Sequence, residues 1–281
     1  MGRLDKNSTL CPNCRKLISI DEPKCPYCGL SKPGAPWKRT FAIRLLSSNP
    51  YDVITYIIYI NAALFIMSIL LHPTSLGFSS NPFTFLSPSS KSLLILGATG
   101  TLPIDQFHRW WTLISASYLH GGILHIFFNM IALRQLGPFV VSEYGMNRFL
   151  IIYVITGIFG FFISYVAGIP FTIGASGSVC GLIGAILFYG KNRGGYYGEA
   201  IYKQTLGWVI GLVLFGFFFP GINNWAHGGG LFAGALTGFL LGYDEKKRET
   251  LVHRALAWGC VGLTVITLLW AVLQALYLSF T

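Results

Sequence analysis

Acidic residues are scarce in this chain: Asp and Glu number 10 in 281 residues, and charged residues of both signs make up only 11%. A sequence that poor in charge and 53% hydrophobic reads as a membrane protein rather than an ordinary soluble domain. No acid stands in the middle of a long apolar run. That argues against a transporter, which needs an embedded proton or sodium site. Residues ahead of the first cysteine contain no apolar core, so no secretory leader is expected there. Lys6 stands where N-myristoylation would prefer Ser or Thr.

What the chain has instead is apolar length. Weakly charged windows long enough to span lipid recur at 52–71, 123–141, 149–167, 204–219, 226–243 and 255–279, and a shorter Gly/Ala-rich segment lies at 177–190. The runs are too continuous for barrel strands, and lipid forces each to satisfy its own backbone, so an all-α polytopic membrane fold is predicted. Residues 1–50 carry nine Lys or Arg. Threading seven spans with the N-terminus inside leaves 18 of the 20 basic residues on the cytoplasmic side and only Lys91 and Arg109 outside. The net charge of +10 is thereby explained by topology and adhesion to an anionic leaflet, with no need for nucleic acid.

The first 50 residues form a separate unit. Cys11-Pro12-Asn13-Cys14 and Cys25-Pro26-Tyr27-Cys28 are two CxxC pairs ten residues apart. Four thiolates at that spacing suit a closed tetrahedral structural zinc site. The other reading is two disulfides, which a cytoplasmic N-terminus disfavours. Residues 32–50, with Pro33, Pro36, Pro50 and the run Trp37-Lys38-Arg39-Thr40-Phe41, read either as a linker on the membrane surface or as a solvated spacer. The predicted divisions are 1–31 (a zinc-ribbon-like module), 32–50 (a basic linker), 51–245 (a six-helix core) and 246–281 (a loop and seventh helix).

In the threaded chain, segments two, four and six run in one direction, and each opens with its distinctive residues. These are His120, His125 and Asn129; Ser176; and His227. From Ser176 to Lys191 is 15 residues, roughly 22 Å of helix against a hydrocarbon core of about 30 Å. Ser176 is therefore expected below the outer surface, reached by water through a cavity open to the extracytoplasmic side. Gly177, Gly181 and Gly184, with Gly230, Gly234 and Gly238, would let the serine and histidine helices pack closely.

A serine needs a base to take its proton, and neutral histidine is the usual one. His125 and Asn129, four residues apart on one helical face, could donate to a developing oxyanion. No Asp or Glu belongs to this group, so a Ser-His dyad rather than a triad is indicated. The context Gly-Ala-Ser-Gly-Ser also departs from the G-x-S-x-G elbow of soluble hydrolases. His120 reads as a structural donor tying the preceding loop to segment two. Residues 72–120, with four prolines and Trp110-Trp111, are expected to be partly embedded at the interface.

At these residues the chain resembles the rhomboid family of intramembrane serine proteases. The H-x4-H-x3-N pattern stands as His120 to Asn129, G-x-S-G as Gly174 to Gly177, and A-H-x-x-G as Ala226 to Gly230. Order and spacing agree from about residue 50 to 245. The resemblance implies Ser176 as nucleophile and His227 as general base. It assigns His125, Asn129 and the Ser176 backbone N–H to the oxyanion hole, and implies cleavage of transmembrane substrates near their extracytoplasmic ends. Two positions depart from the pattern: Trp111-Thr112 replaces a common Trp-Arg pair, with Arg109 displaced upstream, and Cys180 stands where an aromatic often packs on the catalytic imidazole.

The expectation is thus a multi-pass plasma-membrane serine endopeptidase, with membrane lipids and transmembrane proteins as partners. The Cys11, Cys14, Cys25 and Cys28 module would carry zinc and offer a surface to a protein partner. The rival is a silent rhomboid-like scaffold that binds transmembrane helices. Loss of the Ser or His would mark such a scaffold, and both are present.

Overall fold

A computed structural model describes residues 8–11, 16–27, 31–32, 34, 51–73, 85–218 and 221–280. The chain divides into two compact units, Met1–Asp52 and Val53–Thr281. In the first, strands β1 (Ser8–Leu10) and β2 (Leu17–Ser19) pair antiparallel in the register Ser8 to Ser19, Thr9 to Ile18 and Leu10 to Leu17. The Cys11 N–H donates to the Lys16 carbonyl at 2.9 Å, closing the hairpin. Cys11, Ile18 and Cys25 form its buried cluster.

The second unit is helical. Its elements are α1 (Asp52–Leu70), α2 (Ser90–Ile95), α3 (Thr112–Ser115), α4 (Ile123–Tyr144), α5 (Met146–Val166), α6 (Ser176–Arg193), α7 (Gly195–Phe218), α8 (Asn224–Leu241) and α9 (Leu251–Phe280). By length and apolar composition five of these suffice to cross a membrane: α1, α4, α5, α7 and residues 251–278 of α9. The protein is a multi-pass membrane protein. Helices α6 and α8, 18 residues each, fall outside that set. Their sequences are diluted by Gly, Ser, Asn and His because they pack on protein: twelve of the 18 residues of α6 are buried. It touches α4, α5, α7 and α8. Helix α7 starts well before the expected 204, after a turn at Gly194 and Gly195, both at positive φ. An i,i+4 pair, Lys203 Nζ to Glu199 Oε1 at 2.7 Å, supports that extra length.

The small residues set the register of the centre. A methyl group on Gly230 would strike the Gly177 carbonyl, and one on Gly234 the Gly181 carbonyl. One on Gly238 would approach Ala185 Cα at 3.4 Å. These pairs advance together along both chains, so α6 and α8 run parallel with backbones in contact. Tyr144, at the end of α4, donates to the Ala185 carbonyl at 2.8 Å, and His125, near its start, lies beside Gly174 just ahead of α6, so α4 shares that direction. Three helices therefore bring their N-terminal ends to one end of the bundle.

Charged groups gather at the opposite end. Arg148 is fully buried at the start of α5, donating from Nη1 to the Tyr144 carbonyl at 2.9 Å and to Asp244 Oδ1 at 3.2 Å. Its Nη2 donates to the Lys247 carbonyl. Glu249 accepts from the Arg148 backbone N–H at 3.0 Å and from Asn147 Nδ2 at 2.6 Å. Arg193 forms a forked pair with Glu245 at 3.0 to 3.2 Å. The segment joining α8 to α9 is thereby fastened to the α4–α5 turn and to the end of α6.

Candidate active site

Ser176 is the first residue of α6, delivered by a connector that is pinned along its length. Thr172 and Thr99 exchange backbone hydrogen bonds at 2.7 and 3.1 Å, Thr101 N–H reaches the Ile169 carbonyl at 2.9 Å, and Gly174 N–H reaches the Ala116 carbonyl at 2.9 Å. Gly174 has φ +125°, where a side chain is strained, and an added Cβ would lie 2.7 Å from His125 Nε2. Glycine is required there twice over. The segment before α4 that supplies these partners is packed into the bundle, with Leu93, Leu96, Ala98, Ile104, Ala116 and Leu119 all buried.

His227 lies in the first turn of α8, whose N-cap Asn223 accepts from the Ala226 N–H through its side chain at 3.1 Å. Because glycines let α6 and α8 touch, His227 Nε2 stands 2.8 Å from Ser176 Oγ. With its proton on Nδ1, the imidazole accepts from the serine hydroxyl, the geometry a general base needs. Nδ1 is buried and has no hydrogen-bond partner among the described residues, so no carboxylate completes a triad there.

The remaining sequence candidates gather on the same side. His125 Nδ1 accepts from the Gly121 N–H at 3.3 Å, which leaves its proton on Nε2, the nitrogen facing Gly174. Asn129 is buried one turn further along α4 and donates to the His125 carbonyl at 2.9 Å; its second amide N–H stays available. As the opening residue of α6, Ser176 contributes a backbone N–H from the first turn, where helical donors lack an intrahelical acceptor. His120 departs from expectation: it packs edge-on against the His125 ring at 5.0 Å, and neither ring nitrogen has a partner among the described residues. Burial first, then the neighbouring His125, holds its pKa well below the ordinary imidazole value.

The first of the two departures from the resembled pattern has a local replacement. Thr112 Oγ1 donates to Thr99 Oγ1 at 3.0 Å, and Arg109 donates to the Leu94 carbonyl at 3.3 Å, so the loop is anchored without an adjacent Trp-Arg pair. Cys180 is buried on α6. Of the four cysteines assigned to zinc, Cys11 and Cys25 are buried in one cluster with Ile18; Cys14 and Cys28 lie outside the described residues.

Sequence reasoning passed over the threonines at 99 and 172 and the cap at 223. Asn223 carried a readable signal, a strong capping residue just ahead of an apolar run. The threonine pairing carried none, since its members are 73 residues apart.

Residues 108–244 match the rhomboid domain. The chain is 38% identical over 185 residues to RHOMBOID-like protein 5 of Arabidopsis thaliana, covering 59% of this chain and 60% of that protein. Against Rhomboid protease GluP of Bacillus subtilis (strain 168) the identity is 35% over 164 residues, covering 57% of this chain and 31% of GluP. Inactive RHOMBOID-like protein 8 of Arabidopsis thaliana is 31% identical over 174 residues, covering 61% and 49%. The chain thus spans from about a third to three fifths of these relatives. The rhomboid domain match includes His120, His125, Asn129, Ser176 and His227.

Proposed function

We propose that the protein is an intramembrane serine endopeptidase that cleaves transmembrane segments of other membrane proteins with a Ser176–His227 dyad. The observation carrying this reading is the 2.8 Å contact between Ser176 Oγ and His227 Nε2 inside an apolar helix bundle. In the proposed reaction His227 takes the hydroxyl proton as Ser176 Oγ attacks the scissile carbonyl. The oxyanion is met by His125 Nε2–H, the free amide N–H of Asn129 and the Ser176 backbone N–H. Collapse of the tetrahedral intermediate passes the proton from His227 to the leaving amine. The acyl-enzyme is then hydrolysed by water that His227 deprotonates in turn. Preorganised donors in a site shielded from bulk water supply most of the acceleration.

The shared direction of α4, α6 and α8, with basic residues at their far end, supports an active site opening to the extracytoplasmic face and a cytoplasmic N-terminus in the plasma membrane. Zinc held by Cys11, Cys14, Cys25 and Cys28 would stabilise the N-terminal hairpin, leaving its outer surface for a protein partner. Lipids surround the helices, and the basic end rests on anionic headgroups.

The rival is a scaffold that binds transmembrane helices without cutting them, a reading kept open by similarity to a relative named as inactive. Purified protein and its Ser176→Ala variant, incubated with a reporter transmembrane substrate, separate the two. The proposal expects cleavage by the first and none by the second. An intact substrate in both samples would favour the scaffold.

A further inference from the structure

We propose that Asn223 is a positioning residue that locks the loop delivering Ser176 to the helix turn carrying His227, an inference that rests on the dyad reading above. Its side-chain Oδ1 accepts from the Ala226 N–H at 3.1 Å, and its backbone carbonyl accepts from the His227 N–H at 3.1 Å, so the turn bearing the base is built on this residue. A capping role alone would use only the oxygen, and serine, threonine or aspartate would serve as well. The amide nitrogen does more: Nδ2 donates to Ser164 Oγ at 2.6 Å and to Thr172 Oγ1 at 2.9 Å. The Ala226 donor fixes which amide atom is the oxygen, so the two donations follow from the chemistry of the residue.

The three partners belong to three different pieces of the fold. Ser164 is on the last turn of α5. Thr172 is four residues ahead of Ser176 in the connector and is itself clamped by Thr99 through paired backbone hydrogen bonds. Ala226 precedes His227. Serine or threonine at 223 could cap α8 but could not reach both hydroxyls, and only an amide combines one acceptor with two donors. Gly177 against Gly230 sets the distance between α6 and α8 below the dyad, and Asn223 sets it above. Fixed on both sides, Ser176 Oγ and His227 Nε2 keep their spacing without a third catalytic side chain to orient the imidazole, whose Nδ1 has no partner among the described residues.

The test is turnover of a reporter transmembrane substrate by purified full-length variants, with thermal stability measured alongside. Asn223→Ser keeps a capping oxygen and removes the bridge; Thr172→Val removes one end of the bridge and leaves Asn223 intact. Both are expected to lower kcat roughly tenfold with KM little changed, the signature of misplaced reacting groups rather than lost substrate affinity. Thr172→Ser, which keeps the hydroxyl, should restore the rate. The double variant should be no slower than Asn223→Ser alone, because that substitution already removes the contact that Thr172→Val breaks. Wild-type kcat in both single variants, a loss confined to KM, or losses that multiply in the double variant would each overturn the inference. Should Asn223→Ser not fold, Thr172→Val against Thr172→Ser decides it alone. Ser176→Ala, run in parallel, separates the two levels: turnover surviving there removes the dyad and this inference with it, whereas an inert Ser176→Ala beside fully active bridge variants removes only the role of Asn223.

Discussion

Replacing Gly230 with alanine tests whether the contact between α6 and α8 holds the dyad together. The added methyl would run into the Gly177 carbonyl, with the carbonyl carbon at 3.0 Å and Gly177 Cα at 3.2 Å. Ordinary contact with these atoms needs about 3.5 Å or more, so the two backbones must move apart by about 1 Å. Gly177 adjoins Ser176 and Gly230 lies three residues beyond His227, so the displacement passes directly to a hydrogen bond that begins at 2.8 Å. At about 3.8 Å that bond no longer exists. Misplacement on this scale costs on the order of 100-fold in rate. Overpacking should lower stability by about 1–3 kcal/mol, offset in part by up to about 1 kcal/mol from the better helix propensity of alanine. Gly228→Ala is the control, since a Cβ there meets nothing within 4 Å. Cleavage rates and thermal midpoints of the two variants in detergent give the answer. If Gly230→Ala matched the wild type in both, backbone contact would not be what sets the Ser176–His227 distance.

Asn129→Ala should slow cleavage by two to three orders of magnitude without abolishing it, since one oxyanion donor is worth on the order of 3 kcal/mol; an unchanged kcat would remove Asn129 from that role. Purified protein should contain one zinc per chain by elemental analysis, and the double substitution Cys11→Ser, Cys14→Ser should release it while detergent activity persists; a folded but inactive product would show that the module is coupled to catalysis. His120 has a folded-state pKa below its unfolded value of about 6.5, so the unfolded chain takes up a proton first as pH falls. The His120 contribution should therefore be full above about pH 6.5 and decline below it, and thermal midpoints measured from pH 8 to pH 5 should fall less steeply when His120 is replaced by Asn.

Ser176, His227, His125 and Asn129 could be picked out from sequence because nucleophiles and imidazoles are costly in lipid and their spacing is unusual. The structure brings all four to one end of the bundle. The span count was harder to read. Helices α6 and α8 carry the chemistry, and their apolar character is diluted by the glycines and polar groups that make close packing feasible; composition alone therefore selects the other five. The start of α7 was missed because Tyr196 to Lys203 is polar enough to resemble a loop, while an ion pair and a glycine turn make it helical. The Thr99–Thr172 pairing and the Asn223 bridge were not legible at all. They join residues 51 or more positions apart through common polar side chains and main chain, which leave no period and no motif. His120, expected to donate a hydrogen bond, has the His125 ring at its edge and no partner for either nitrogen among the described residues.

The fastening around Arg148 has a consequence for the order in which the molecule can be completed. The guanidinium belongs to the α4–α5 turn, yet Asp244 and the Lys247 carbonyl that receive it, and the Glu249 carboxylate that receives its backbone N–H, are made about a hundred residues later. While the chain is being synthesised, that turn holds an unpaired cation and an open helix end, and neither can leave water until the segment after α8 arrives. The segment between α8 and α9 is thus the one that closes the α4–α5 hairpin, and a nascent chain stopped before residue 244 would present a hydrated, unfinished end to quality-control proteases.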